Sequence, residues 1–138
     1  MQKLLEKINS FDYGVTGKPV TDKDISQYQE NLSDCSYPNI PSDVVLFLKH
    51  HNGFLCEGRC IWGINTKENY LYDILGENVM SQNPNPDELL LLGATEMTYI
   101  GYFASTDTYS MIDKSSFMVL HDFNNFVEAA KYILKIDD

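Results

Sequence analysis

The stretch 89-LLLLGATEMTYIGYFASTDTYSMIDKSSFMVL-120 decides the fold. It opens on Leu89 to Leu92, a continuous apolar run ended by Gly93, the pattern of a buried strand. Thr98 to Ala104, Thr108 to Asp113 and Phe117 to Leu120 follow as short β-prone segments. Ser105-Thr106-Asp107 and Lys114-Ser115-Ser116 are the polar turns between them, so the spacing predicts an antiparallel meander.

Downstream, Asn125 sits three residues before Glu128, an arrangement in which each side chain satisfies a free helix amide. Phe126, Ala129, Ala130 and Ile133 then mark one helical face for docking on the sheet. Upstream, Leu4, Leu5 and Ile8 give a short helix over Met1 to Asn9, and Gly14, Gly17 and Pro19 give a loop. Thr21-Asp22-Lys23-Asp24 starts a helix running to about Leu32 that buries Ile25, Tyr28 and Leu32. Pro38, Asn39 and Pro41 interrupt the chain, and Pro41 suits the first turn of the next helix. Val44 to Leu48 is apolar nearly all round, which predicts a central helix stopped by Asn52-Gly53. Phe54 to Cys56 and Cys60 to Ile64 read as two short strands about a Glu57-Gly58 turn. Tyr70, Leu71, Ile74 and Leu75 suit a short helix fading near Gly76, and Ser81 to Pro86 is loop. Helices first, a meander later and a helix last make one α+β domain over residues 1–138.

Composition narrows the function. At 138 residues, about two thirds of the extended chain's surface can be buried, enough for one core without staples. Twenty acidic against ten basic residues give a net charge of −10. Phosphate binding runs on clustered Lys and Arg, so nucleic acid and anionic membrane surfaces are poor direct ligands, whereas a basic protein is a compatible one. No apolar run reaches membrane-span length, and the start lacks a secretory pattern, so a cytoplasmic location is expected.

The chemistry-bearing residues are sparse. Gly-x-Ser-x-Gly, Gly-x-x-x-x-Gly-Lys and His-Glu-x-x-His are all absent, as is a dinucleotide fingerprint. Cys56 and Cys60 could face each other across a tight hairpin, and with His50 and His51 they invite a zinc reading. Cys35 is the only other thiol, so buried free thiols are the simpler expectation. Thiol catalysis by Cys56 or Cys60 with a histidine such as His121 rests only on the presence of those side chains. The expectation is therefore no enzyme: no catalytic residues, no cofactor and no metal. Aromatics are the stronger signal, with nine tyrosines, seven phenylalanines and one tryptophan. Tyr99 and Phe103 share one strand face and Tyr102 the other, so at least one tyrosine is expected at the surface.

The whole pattern resembles the SUKH superfamily, which includes Smi/Knr-type cell-wall assembly regulators and a YrhA-like bacterial branch. Gly17-Lys18-Pro19-Val20-Thr21-Asp22-Lys23-Asp24-Ile25 resembles the Gly-Lys-Pro entry to that family's first helix. Ile40 to Phe54, with Pro41, Phe47-Leu48 and Asn52-Gly53, is similar to its Leu-Pro-x-x-Tyr-x-x-Phe-Leu…Asn-Gly signature, with Val45 where the family usually has tyrosine. Ile61-Trp62-Gly63-Ile64 resembles its aromatic-Gly strand, and Leu91-Gly93 through Tyr102, Tyr109, Asp113 and Phe126 resemble its meander and closing helix. The resemblance implies an α+β domain and, in bacteria, an immunity protein that neutralises a cognate polymorphic toxin, often a nuclease, by binding it. The alternative is a regulatory or scaffolding adaptor of endogenous proteins. For either role the sequence nominates Tyr99, Tyr102 and Tyr109 as partner anchors, with Glu96, Asp107 and Asp113 as electrostatic guides.

Overall fold

The computed structural model describes residues 1–66 and 71–136. In chain order they form α1 (Gln2–Ser10), β1 (Val15–Thr16), α2 (Asp22–Asp34), α3 (Ser42–Leu48), β2 (Phe54–Cys56) and β3 (Arg59–Ile61). Then come α4 (Ile74–Met80), β4 (Leu89–Ala94), β5 (Thr98–Phe103), β6 (Thr108–Asp113), β7 (Val119–Phe123) and α5 (Phe126–Leu134). The seven strands make one antiparallel sheet in sequence order, a full meander, and α5 closes the α+β domain. The sheet is longer than expected, because the Gly14–Pro19 loop contributes β1, which pairs with β2.

Local chemistry accounts for the helix ends. The Thr21 hydroxyl accepts from the Asp24 amide while the Asp24 carboxylate accepts from the Thr21 amide, a complete capping box. At α5 the Asn125 side chain accepts from the Glu128 amide, and the Glu128 carboxylate reaches back to the Asn124 amide. Helix α4 begins later than the apolar spacing implies. Asp73 caps it by accepting from the Gly76 amide, so Gly76 opens this helix instead of ending it. The expected Tyr70 start lies outside the described residues. Pro41 is the N-cap of α3, one position before the first helical turn. That helix is also less central than its composition implies, since Leu46 is exposed.

One face of the sheet is covered by α5, which also packs on α1 and α3. Phe126 meets Phe47 edge-on and lies against Tyr109, with centroids 5.6 and 6.1 Å apart. The register pairs Leu90 with Tyr102, Tyr102 with Tyr109 and Tyr109 with Phe123, placing these side chains on that helix face. Leu89, Leu91, Tyr99, Gly101 and Ile112 occupy the opposite face. A side chain at Gly101 would run into Leu89 and Ile112, so this glycine lets the apolar neighbours meet across the strand. Each large apolar group fully buried in this core contributes about 1.5–3 kcal/mol.

Strand β3 pairs with Gly93 and Ala94 of β4, and the Trp62 amide donates to the Leu92 carbonyl. Among the described residues the rest of that edge of β4 has no strand beside it. Side chains take the strand's place. Asn78 donates to the Leu91 carbonyl and accepts from its amide, both at 2.9 Å, and Asn83 donates to the Leu89 carbonyl at 2.7 Å. Asn83 also donates to Asn78, joining the pair. Asn52 does the same for Ile64, accepting from its amide and donating to its carbonyl. Gly17 and Gly63 lie so close to the Asn52 carbonyl that a Cβ at either would fall within 2.2 or 2.4 Å of it. Asn52-Gly53 is therefore a backbone junction beyond the end of α3, and Gly53 adopts φ +97 there.

Candidate partner-binding surface

The six nominated residues do not form one patch. Tyr102, Asp107 and Tyr109 sit toward the β5–β6 turn, while Glu96, Tyr99 and Asp113 sit at the opposite end of the same hairpin. Alternation also places Tyr99 on one face and Tyr102 with Tyr109 on the other.

Their environments differ as well. Tyr109 is only 3% exposed beneath Phe126, which removes it as a partner anchor: the closing helix lands on it. Burial first, then the nearby carboxylates Asp43 and Asp107, holds its hydroxyl protonated. The half-buried Tyr102 donates to Asp107 at 2.8 Å, and burial together with that bond raises its pKa to about 12. Asp113 organises the β6–β7 turn by accepting from the hydroxyls and amides of Ser115 and Ser116. Those bonds, led by the Ser115 hydroxyl, lower its pKa to about 2 and keep it ionised. They also draw residues 114–118 into the turn, with Phe117 at φ +58. Strand β7 consequently starts at Val119, two residues later than the apolar run predicts.

The aromatic ring of Tyr99 lies between Trp62 and Phe117, at 6.0 and 5.7 Å, and the Lys114 ammonium stands 5.3 Å from its centroid. Trp62, Tyr99 and Lys114 border a groove of about 430 Å³ that Tyr72, Glu77 and Glu96 also line. Burial and the Glu77 charge raise the Tyr99 pKa. Cys60 lies on the same wall, its thiol held protonated chiefly by burial. Cys56 cannot face it across the hairpin: Cys56 pairs with Arg59 and Leu55 with Cys60, so the thiols project to opposite faces. Among the described residues, no three His, Cys, Asp or Glu side chains converge as metal ligands would.

Sequence reasoning missed an exposed apolar run at the sheet edge. Met118, just before β7, and Val119 and Leu120 at its start are 65%, 47% and 51% exposed, and among the described residues β7 pairs with β6 alone. The outer edge of such a strand presents backbone amides and carbonyls with no ladder partner. On the helix side β7 is anchored, with His121 stacked on Tyr132 at 5.6 Å and Phe123 against the same ring at 5.3 Å. The sequence signal was the unalternating Met118-Val119-Leu120 run, since a half-buried strand would alternate. Among the described residues no helix is long and apolar enough to cross a membrane. Compared with known proteins, the chain matches no family model and no curated relative.

Proposed function

We propose that this chain is a non-enzymatic protein-binding domain, and that it serves as a bacterial immunity protein neutralising a cognate toxin, often a nuclease, by direct binding. The observation that carries this reading is the open edge of β7, with its exposed Met118, Val119 and Leu120, on a body of net charge −10. An open edge accepts an extended strand from another polypeptide, whose main chain supplies affinity and whose alternate side chains supply specificity. Exposed apolar residues add the desolvated centre that such interfaces need.

Charge selects the partner. Two copies of a −10 chain repel, whereas a nuclease-type toxin carries a basic surface for phosphate and is drawn in by the acidic field. Glu96 and Asp107, both exposed, contribute to that field, and Tyr102 adds a half-buried aromatic contact. The resemblance to the SUKH superfamily supports the same role.

The test is to isolate the chain's partner from its native host and measure the partner's toxicity with and without this chain. One basic polypeptide in 1:1 complex, lethal alone and harmless when bound, is the expected result. Several endogenous, non-toxic partners would overturn the immunity reading in favour of an adaptor.

A further inference from the structure

We propose that the groove between β3, α4 and the β4–β5 turn is a receptor for a guanidinium group, the side chain of an arginine presented by the basic partner. This deepens the binding role proposed above by assigning a second contact point, on the sheet face opposite α5, with its own ligand chemistry.

Three observations converge on it. The groove measures about 430 Å³, within the range of sites that hold small ligands and ample for one arginine with its flanking backbone. Its lining combines aromatic surface from Trp62, Tyr72 and Tyr99 with the carboxylates of Glu77 and Glu96. A planar guanidinium stacks on such rings and can donate two parallel N–H bonds to a carboxylate, which a compact ammonium cannot match. Finally, the protein already seats a cation there, since the Lys114 ammonium stands 5.3 Å from the Tyr99 centroid.

Lys114 thus acts as an internal stand-in that an incoming arginine displaces. It lies directly after Asp113, whose carboxylate is committed to Ser115 and Ser116, and its ammonium is within reach of solvent. The Cys60 thiol, kept protonated by burial, adds no charge to the groove wall. The electrostatics of the site are therefore set by Glu77 and Glu96 against Lys114. Removing the lysine leaves the two carboxylates unopposed and makes the groove more acidic.

Trp62 is the chain's only tryptophan, so its emission reports on this groove without labelling. The experiment titrates the intact protein with N-acetyl-arginine amide, N-acetyl-lysine amide and the neutral isostere N-acetyl-citrulline amide. The Trp62 indole N–H resonance is followed in parallel, so that occupancy silent in emission is still seen. The expected result is saturable binding of the arginine probe, weaker binding of lysine and none of citrulline. Lys114→Gln should tighten the arginine probe about tenfold, and the double variant Glu77→Gln, Glu96→Gln should weaken it about tenfold. All variants are first matched to the parent by thermal melting. No saturable response from either signal, or equal responses to arginine and citrulline, would overturn the groove assignment. Because the titration needs no protein partner, its failure leaves the edge-strand reading standing, and the absence of a toxin partner leaves the titration interpretable.

Discussion

Strands β4 and β7 solve the same problem in opposite ways. Every residue of β4 is buried, and where β3 falls short its edge is sealed by Asn78 and Asn83. In β7 only Phe123 is buried, and among the described residues its outer edge has no strand beside it. The molecule has a device for closing a strand edge and uses it where the core requires it. The proposed binding role rests on this contrast: β7 is left open beside exposed Met118, Val119 and Leu120.

Removing the seal is the strongest way to break the comparison. Asn78→Leu leaves the Leu91 amide and carbonyl and the Asn83 amide group short of partners inside the core. Each unsatisfied group costs about 1–3 kcal/mol, so denaturant unfolding should show a loss of roughly 3–5 kcal/mol. A midpoint unchanged from the parent would mean the asparagine seal contributes nothing. Next in size is Gly101→Ala, whose methyl would press on Leu89 and Ile112; this should cost about 1–3 kcal/mol by the same measurement.

The seal also shows where sequence reading stops. Capping signals at Thr21–Asp24 and Asn125–Glu128 were legible because their partners lie three or four residues away. Strands β5 and β6 were legible because their β-prone runs are bounded by polar turns. Asn78 was not, since its role depends on a strand 13 residues away whose edge happens to lack a neighbour. The burial of Tyr109 under Phe126 was likewise a matter of where a distant helix lands. The start of β7 moved because one carboxylate, Asp113, gathers four donors and holds Phe117 in the turn. Of the nominated site, Glu96 and Tyr99 do share a groove, while Tyr102 and Asp107 form a separate pair across the hairpin.

The opposite perturbation sharpens the contrast. The double variant Val119→Lys, Leu120→Lys alters exposed positions, so stability should stay within about 0.5 kcal/mol of the parent. Partner dissociation, followed by surface-immobilised kinetics, should accelerate about tenfold or more. A destabilised fold with unchanged dissociation would reverse the roles assigned to the two strands.

The smallest effect concerns the turn that sets where β7 begins. Asp113 has a folded-state pKa of about 2, below its ordinary 3.8, so its contribution is present above pH 3.8 and is lost as pH falls toward 2. Asp113→Asn should therefore flatten the acid limb of the stability curve in that window and leave the slope near neutrality unchanged. An acid limb identical to the parent's would show that the Ser115 and Ser116 bonds do not favour the carboxylate.

The most direct test follows backbone hydrogen exchange along residues 118–123 in the free protein and in its complex with the isolated partner. Slowed exchange at the outward-facing amides of β7 on binding is the predicted result. Unaltered exchange there, with protection appearing only on other elements, would contradict the account.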